Sequence, residues 1–442
     1  MRIAIIGSGI AGLSAAWLLN RRHQVTLYER NDYFGGHTNT RTIETDAGPV
    51  AVDTGFIVFN RRNYPLLTQL FEHLGVRTQP TRMSFSVSAD GGRYEYAGSG
   101  LATLFAQRSN LFSARHYRML ASIVRFNRDA KRLLQDAATN PASIDEFVAA
   151  GGYGDTFRNR YLLPMAAAIW SCPVETMASF PAASLARFFA NHGLLDLRNR
   201  PQWRTVCGGS HQYVKQLLKP LQGNSACRDR VTAVQRRDRG VTVHAEHSGV
   251  RHFDAVVFAC HADQALQLLD APTAREHAVL GAFRYQPNHA VLHSDANLMP
   301  RRKAVWSAWN YLTTEDHGGT NAVSVSYWMN CLQRLEQAPP LFVTLNPLRE
   351  PRSGSVIAEM AYDHPVFDRQ AMDAQQRLAS LQGDNGIWYC GSYFGYGFHE
   401  DALRSAVEVA HRLGVEVPWA QATPPVANAD ARAQPAPVWA SR

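Results

Sequence analysis

The sequence predicts an α/β protein that begins with a βαβ unit. Residues 2–6 form a short apolar run typical of a buried strand, residues 13–20 have a helical composition, and residues 24–29 form a second strand-like run. Residues 7–12, between the first strand and the helix, contain three glycines and predict a tight turn. Strands joined in this way by a helix belong to parallel sheets with helices packed on their faces.

Further helices and strands follow this unit. A helix is predicted over residues 63–75, a hairpin over residues 85–96, and largely helical segments over residues 101–149 and 156–200. Additional elements are predicted as strands over residues 230–236, 241–246, 255–259, 306–311, 322–327 and 388–390, and as a helix over residues 400–413. Residues 420–442, rich in Ala and Pro, predict a disordered tail.

Composition excludes several classes of protein. The net charge of +8 comes mainly from scattered arginines without a long basic run, so we expect no nucleic-acid partner. The six cysteines form neither a CxxC pair nor a zinc-site spacing, which predicts no metal site and reduced thiols in a cytoplasmic protein. No apolar run reaches about 18 residues, so no transmembrane helix is expected.

The glycines of the first turn predict a dinucleotide site. Gly7, Gly9 and Gly12 match G-x-G-x-x-G in its proper context, after a strand and at the start of a helix. Gly7 permits the turn, Gly9 lets the backbone approach a pyrophosphate, and Gly12 lets the helix pack closely on the sheet. Glu29 follows at the end of the second strand, where a carboxylate accepts hydrogen bonds from ribose hydroxyls. The fold is therefore expected to be Rossmann-type.

Three later segments distinguish FAD from NAD through a resemblance. Gly35-Gly36-His37, residues 52–56 and residues 388–402 resemble the cofactor motifs of the FAD-dependent amine oxidase superfamily, which includes carotenoid desaturases and protoporphyrinogen oxidases. That family usually has Arg where this chain has His37. The resemblance implies a Rossmann-type FAD-binding domain (GR2-like) with an interleaved α+β substrate domain. Val231 resembles the residue whose backbone holds the adenine.

The resemblance also implies domain boundaries and site residues. It places the FAD-binding domain at residues 1–60, 205–265 and 380–415, and the substrate domain at residues 61–204 and 266–379. The residues expected to bind the cofactor are Gly7, Gly9, Ile10, Ala11, Gly12, Glu29, Arg30, Gly35, Gly36, His37, Thr54, Gly55, Phe56, Val231, Gly391, Ser392, Phe398 and His399. The candidates for proton transfer are His37, Tyr396, His399 and Glu400.

Within this superfamily, the chain is similar to bacterial flavoproteins that desaturate or modify methyl-branched fatty acyl chains beside lipid-modifying methyltransferases. Residues 53–60, 306–311 and 391–393 carry this similarity. It implies an FAD-dependent oxidoreductase that desaturates a lipid or another small apolar substrate. The alternatives are an amine or amino-acid oxidase, a flavin-dependent isomerase without net redox change, and a non-catalytic partner of a lipid-modifying methyltransferase.

Two segments bear on the substrate, and each has two explanations. Residues 161–170 are apolar and either line a substrate cavity or pack in the core. Residues 111–134 combine apolar residues with arginines, and they predict either a helix on an anionic membrane surface or a solvated surface helix. The first explanation for residues 111–134 implies a peripheral position at the inner membrane face.

Overall fold

A computed structural model describes residues 1–135, 142–170, 174–196, 200–221, 223, 225–226, 228–315 and 321–419. The predicted tail at residues 420–442 lies outside the described residues. The strands are β1 Arg2–Ile6, β2 Gln24–Tyr28, β3 Thr40–Thr45, β4 Gly48–Asp53, β5 Phe59–Asn60, β6 Thr78–Pro80, β7 Phe85–Ala89, β8 Tyr94–Ala97, β9 Trp203–Val206, β10 Ser225–Ala226, β11 Val231–Arg236, β12 Val241–Ala245, β13 Gly249–Phe253, β14 Ala255–Phe258, β15 Arg284–His293, β16 Trp309–Glu315, β17 Asn321–Trp328, β18 Phe342–Leu345, β19 Val356–Val366 and β20 Ile387–Tyr389.

The helices follow the same chain order. They are α1 Ile10–Leu19, α2 Pro65–His73, α3 Leu101–Leu104, α4 Ala114–Leu133, α5 Ile144–Ala150, α6 Asp155–Phe157, α7 Leu163–Trp170, α8 Val174–Ala178, α9 Ala182–Asn191, α10 His211–Leu218, α11 Ala262–Leu268, α12 Ala274–Leu280, α13 Met329–Gln333, α14 Arg369–Gln375 and α15 His399–Arg412. A π-helical turn, Arg158–Leu162, joins α6 to α7. None of the helices in the described ranges is long and apolar enough to cross a bilayer.

Two of the five sheets in the described residues organise the chain, and the smaller ones are β3-β4, β5-β9-β6 and β11-β12-β13. The first is parallel, with the strand order β10-β2-β1-β14-β20, and all five strands fall inside the predicted FAD-binding segments. The second has the order β19-β15-β18-β17-β16-β7-β8 and draws only on the predicted substrate segments. The α/β class and the Rossmann-type unit are confirmed, while the domain boundaries stay a prediction.

Separate hydrophobic clusters hold these layers. One lies between the parallel sheet and helices α1, α2, α10 and α15, with buried members such as Leu13, Leu67 and Leu403. Another packs helices α4 to α9 against the seven-stranded sheet through residues such as Phe126, Phe189 and Tyr311. A third packs β11–β13 and α11–α12 against the opposite face of the parallel sheet. The parallel sheet is therefore covered on both faces, as such sheets require.

Several element boundaries differ from the sequence predictions. Helix α1 begins at Ile10 rather than residue 13, because Gly9 has an extended backbone and forms the N-cap, which leaves Gly12 inside the helix. The predicted strand at residues 306–311 instead occupies Trp309–Glu315. Ten strands were not predicted, namely β3, β4, β5, β6, β9, β10, β13, β15, β18 and β19. In β13, four of five residues are exposed, so no alternating apolar pattern marks it.

Candidate active site

A cavity of about 690 Å³ opens at the carboxyl ends of four parallel strands. Its walls include the segments that directly follow β1, β2, β14 and β20, among them Gly7, Glu29, Cys260 and Gly391. Ligands of open parallel sheets bind in the crevice at this edge. The opposite wall comes from the seven-stranded sheet, through residues such as Trp309 and Tyr362. The volume lies in the range of about 300–1,000 Å³ that is usual for ligand pockets.

The loop from Gly7 to Gly9 presents backbone donors to this cavity. Gly7 has a φ of +100°, a conformation that favours glycine, and a side chain there would meet the carbonyl of Ala259. Gly9 is the N-cap of α1, and no side chain caps this helix end. The space beside the Gly9 Cα is open for 4 Å. The free N–H groups of the first turn, at Ile10 and Ala11 on the cavity wall, can therefore bind an anion.

Glu29 is tied to the same loop. Its Oε2 accepts hydrogen bonds from the backbone N–H of Ser8 at 3.0 Å and from the Ser8 hydroxyl at 2.5 Å, and its Oε1 accepts one from Asn31 N at 2.9 Å. The side chain is buried except for its face on the cavity. Gly12, by contrast, does not line the cavity. A Cβ there would lie 1.8 Å from the Gly7 carbonyl oxygen, so Gly12 provides the close helix packing that its motif position predicts.

The Gly35-Gly36-His37 segment lies over this loop. Gly35 N donates to the Ser8 carbonyl at 3.0 Å, and a Cβ on Gly36 would come 3.1 Å from the Gly9 Cα. Phe56 N donates to the His37 carbonyl at 2.8 Å, which joins the residue 54–56 segment to the same layer. Only glycine fits at position 55, because a Cβ would lie 2.2 Å from that carbonyl oxygen. Two segments distant from the first loop thus reach the cavity through close backbone contacts.

Residues 391–402 complete this side of the cavity. The carboxylate of Asp401 accepts hydrogen bonds from Tyr396 N at 2.9 Å and Phe398 N at 3.1 Å, which fixes the turn before α15. Gly391, Ser392, Tyr396, Phe398 and His399 all lie on the cavity wall.

Glu400 does not line the cavity. Its two oxygens accept hydrogen bonds from Leu66 N at 2.9 Å and Leu67 N at 3.0 Å, in the first turn of α2. The predicted role in proton transfer is therefore replaced by a structural one. The residue pattern could not reveal this role, because the two partners lie more than 330 positions away in the sequence.

Four histidines face the cavity, namely His37, His261, His364 and His399. Burial lowers the pKa of His37 to about 4, against a smaller opposing effect of Asp363. Burial also lowers the pKa of each of the other three to about 3, and the charge of a neighbouring histidine adds to that effect. All four imidazoles are therefore neutral near pH 7. They contribute polar donors and acceptors without placing a cation in the cavity.

The histidine rings are held by aromatic neighbours. His37 stacks on Tyr362 with a centroid distance of 4.9 Å, and His399 stacks on Phe56 at 3.8 Å. The Nε2 atom of His399 also lies 3.1 Å from the Thr38 hydroxyl. The Nε2 atom of His37 is buried and has no hydrogen-bond partner among the described residues. A bound group or a water molecule can supply the missing partner of such a buried atom.

A family model described as flavin containing amine oxidoreductase matches residues 10–346, which is more than half of the chain. The chain belongs to the flavin-containing amine oxidoreductase family. This membership confirms FAD as the cofactor and the predicted class, an FAD-dependent oxidoreductase. The cavity fits that cofactor, because an uncapped helix end, an acid at the second strand and an open approach at Gly9 all face it.

Similar proteins differ in what their descriptions say they do. A segment of 66 residues is 44% identical to a carotenoid phi-ring synthase of Streptomyces griseus, and this segment covers 14% of the chain and 13% of that enzyme. A fatty acid isomerase from P. acnes that produces CLA has a similar structure, with a TM-score of 0.64, 16% identity, and coverage of 94% and 99% of the two chains. Putrescine oxidase bound to putrescine has a TM-score of 0.65 at 16% identity, over 93% and 99% of the chains. At these identities the two structures show that the oxidoreductase shares their fold.

All residues predicted to bind FAD, except Gly12, lie on the cavity wall of the oxidoreductase. The sequence analysis missed those that come from the second sheet and from the loop after β14. They include His261, Tyr285, Trp309, Tyr327, Tyr362, Asp363, His364 and Phe367. Two of them had a usable signal: His261 closely follows a predicted strand of the parallel sheet, and Trp309 lies in the segment 306–311 that carries the family similarity. The others lie on β15, β17 and β19 or just after β19, and only the packing of the two sheets brings them to the site.

Proposed function

We propose that this oxidoreductase dehydrogenates a lipid-like substrate, such as a methyl-branched acyl chain of a phospholipid. The observation that carries the proposal is the largely apolar surface that α7 and the second sheet contribute to the cavity. Ile169, Trp170, Trp309, Tyr327 and Leu345 line it there. Such a surface favours a hydrocarbon chain, because burying apolar area is favourable by about 25 cal/mol per Å².

The charged residues of the cavity support this assignment by their position. Five of them, Glu29, Arg30, Asp229, Arg230 and Glu246, belong to the nucleotide end. Asp229 N donates to the Glu29 carbonyl at 3.0 Å, and the next residue, Arg230, pairs with Glu246 at 3.9 Å. These contacts hold the charged residues together at the nucleotide end. The remaining charged residue on the wall is Asp363. A cationic amine would therefore find few counter-charges in the apolar part.

An aromatic cluster closes the apolar part beside the C-terminal motif. Phe398 stacks on Phe188 at 5.0 Å, Phe188 packs against Trp170 at 4.6 Å, and the Trp170 indole N–H donates to the Tyr396 carbonyl at 3.3 Å. Of the apolar segment 161–170, Ile169 and Trp170 line the cavity, while Leu162, Leu163 and the alanines between them and Ile169 are buried in the core. Part of that segment therefore lines the cavity, and the rest packs in the core.

FAD, when bound, supplies the acceptor for the hydride. The second hydrogen leaves as a proton, and we assign its acceptor to His37. Its ring lies on the cavity wall beside Tyr362 of the second sheet, and its imidazole is neutral. His399 is engaged by Thr38 and Phe56, and burial raises the pKa of the Tyr396 hydroxyl, which is therefore protonated. Loss of the two hydrogens leaves a carbon–carbon double bond in the chain.

The test is an anaerobic titration of the FAD-loaded protein with a bacterial phospholipid extract, followed by flavin absorbance. Bleaching by the lipid, with an unsaturated product by mass spectrometry, supports the proposal. Bleaching by putrescine or another amine, but not by the lipid, indicates an amine oxidase. Dithionite is the control, since it reduces the flavin whatever the substrate.

An isomerase and a non-catalytic partner protein would each give a different result in the same experiment. An isomerase moves a double bond in the lipid without net change in flavin absorbance. A non-catalytic partner of a lipid-modifying methyltransferase leaves both lipid and flavin unchanged, and it co-purifies with that enzyme. Either result overturns the proposed dehydrogenation.

A further inference from the structure

A patch of exposed apolar side chains lies on the helical layer of the protein, and we call Leu101, Leu111, Phe112, Tyr117 and Val124 the apolar patch. Their exposures are 77%, 44%, 91%, 48% and 57%. In the described part of the chain, only four other large hydrophobic residues are exposed, at positions 1, 250, 356 and 357. Such a concentration of exposed apolar side chains within residues 101–124 is typical of an interaction site.

The patch is continuous through the start of α4. The Tyr117 hydroxyl donates to the Leu111 carbonyl at 3.1 Å, and the Tyr117 ring lies 5.7 Å from that of Phe105 in the preceding segment. Along α4, Tyr117, Ala121 and Val124 are exposed at spacings of four and three residues, so they share one face. The opposite face carries buried residues such as Phe126.

Unpaired positive charge surrounds the apolar patch. No acidic residue occurs between Glu95 and Asp129, whereas five arginines do. Arg108, Arg115 and Arg118 are exposed and form no ion pair with a described residue. Towards the other end of α4, Arg128 and Arg132 pair with Asp129, and Lys131 pairs with Asp196. The free charge therefore lies at the same end as Phe112.

We propose that this surface binds an anionic lipid bilayer, with Phe112 and Leu111 in the interface and the three arginines on the headgroups. Apolar side chains that protrude between unpaired cations match the layered chemistry of such a surface. The proposal concerns docking and does not depend on the proposed reaction. A docked membrane could supply the substrate, because only α9 separates α4 from the cavity. Phe126 on α4 packs 6.2 Å from Phe189 on α9, and the adjacent Phe188 stacks on Phe398 of the cavity wall.

The test is sedimentation of the FAD-loaded full chain with vesicles of phosphatidylglycerol and phosphatidylethanolamine, compared with phosphatidylcholine alone. We expect binding to the anionic vesicles only. Phe112→Ser should weaken it at least about tenfold, and Arg115→Glu with Arg118→Glu should weaken it by about fivefold or more per arginine. The matched controls are Val250→Ser, an apolar residue exposed elsewhere, and Arg239→Glu, both of which should bind as the wild type.

Equal binding by the patch variants and the controls overturns the proposal. So does the absence of vesicle binding by the wild type, or loss of a protein partner rather than of lipid binding in the Phe112→Ser variant. Flavin reduction by detergent-dispersed lipid is measured in parallel. A protein that reduces its flavin but binds no vesicles refutes the docking surface and leaves the proposed reaction intact.

A second, independent observation concerns His364, which lies on the cavity wall formed by the seven-stranded sheet. The backbone N–H of His289 donates to Asn346 Oδ1 at 2.9 Å. The side-chain NH2 group of Asn346 therefore points away from His289. Asn346 Nδ2 donates to Asn288 Oδ1 at 2.8 Å. Asn288 Nδ2 therefore faces the ring of His364, with 3.1 Å between Nδ2 and Nδ1, and it also donates to the Gln286 carbonyl at 3.0 Å. The His289 N–H thus fixes the side-chain orientation of Asn346, Asn346 fixes that of Asn288, and Asn288 faces His364 with its NH2 group.

From this chain we infer that His364 is held with its proton on Nε2, as a hydrogen-bond donor to a molecule in the cavity. Nδ1 must accept, because Asn288 Nδ2 can only donate. His364 lines the cavity, and its Nε2 has no hydrogen-bond partner in the described ranges. Such a donor fits an acceptor oxygen or nitrogen of the cofactor or the substrate. Asn288 and Asn346 are positioning residues.

The measurement is nitrogen-15 NMR of histidine-labelled protein with FAD bound, with His364→Gln to assign the signal. We expect a protonated Nε2 and an unprotonated Nδ1 in the wild type. Asn288→Asp should invert this pattern, because a carboxylate accepts a hydrogen bond from Nδ1–H, and it should raise the pKa of His364. A wild-type spectrum with the proton on Nδ1 overturns the inference, even if the Asn288→Asp variant fails to fold.

Discussion

Ser8 donates two hydrogen bonds to one oxygen of Glu29, from its backbone N–H at 3.0 Å and from its hydroxyl at 2.5 Å. The acid that ends β2 therefore shapes the first loop in addition to facing the cavity. Charge-assisted bonds of this kind contribute about 1.5–3 kcal/mol each.

Glu29→Gln is expected to weaken FAD binding at least about tenfold, because the neutral amide cannot accept all three bonds from Ser8 and Asn31. Fluorescence titration of the apoprotein with FAD measures the effect. The control is Glu44→Gln, an exposed acid on β3 without an ion pair to a described residue. Equal FAD affinity in the two variants would contradict the prediction.

Gly55→Ala is expected to cost about 1–3 kcal/mol of stability and to release FAD, because the added methyl group would lie 2.2 Å from the His37 carbonyl oxygen. Thermal unfolding with and without FAD measures both effects. Gly98→Ala should behave as the wild type, since no atom lies within 4 Å of its added Cβ. An unchanged Tm in Gly55→Ala would show that residue 55 does not pack against the His37 carbonyl.

Glu400 gives the stability of the protein a specific dependence on pH. Burial raises its pKa from 4.5 to about 7, against the hydrogen bonds from Leu67 and Leu66. The folded chain therefore holds a proton that the unfolded chain loses between these values, so this contribution to the free energy of unfolding falls as the pH rises from 4.5 to 7.

Glu400→Gln should remove that decrease, which is on the order of 3 kcal/mol for this shift. Urea unfolding at pH 5 and pH 8 measures the difference between variant and wild type. Glu408→Gln, on the same helix and paired with Arg412 at the surface, is the control and should retain the decrease. If the free energy of unfolding of Glu400→Gln falls with pH as steeply as that of the wild type, the pH dependence belongs to another group.

His37 should not produce a break in the rate of flavin reduction near pH 6.5, the usual pKa of histidine. Burial lowers its pKa to about 4, so the imidazole stays neutral and able to accept a proton from pH 5 upward. Stopped-flow reduction by the lipid substrate from pH 4 to 8 tests this. His37→Ala should slow reduction, with partial rescue by added imidazole, whereas a break near pH 6.5 that disappears in His37→Ala would refute the lowered pKa.

The sequence by itself determined the nucleotide half of the site. Gly7, Gly9 and Glu29 act through contacts within one βαβ unit, whose strand, turn and helix are contiguous in the chain. Phe56 and His399, each part of a continuous sequence motif, also lie on the cavity wall as predicted. The spacing of residues within a short segment predicts where they lie, because the backbone of a strand-turn-helix unit can take few conformations.

Only the tertiary structure decided the remaining wall and the roles of several polar groups. His364 reaches the cavity because β19 pairs with β15 in a second sheet, and its proton position depends on Asn288 and Asn346. Glu400 belongs to a recognisable motif, yet its oxygens are used by the amides of α2. Burial and hydrogen-bond partners set proton positions, pKa values and cavity surface, and they arise from long-range packing that no local pattern contains.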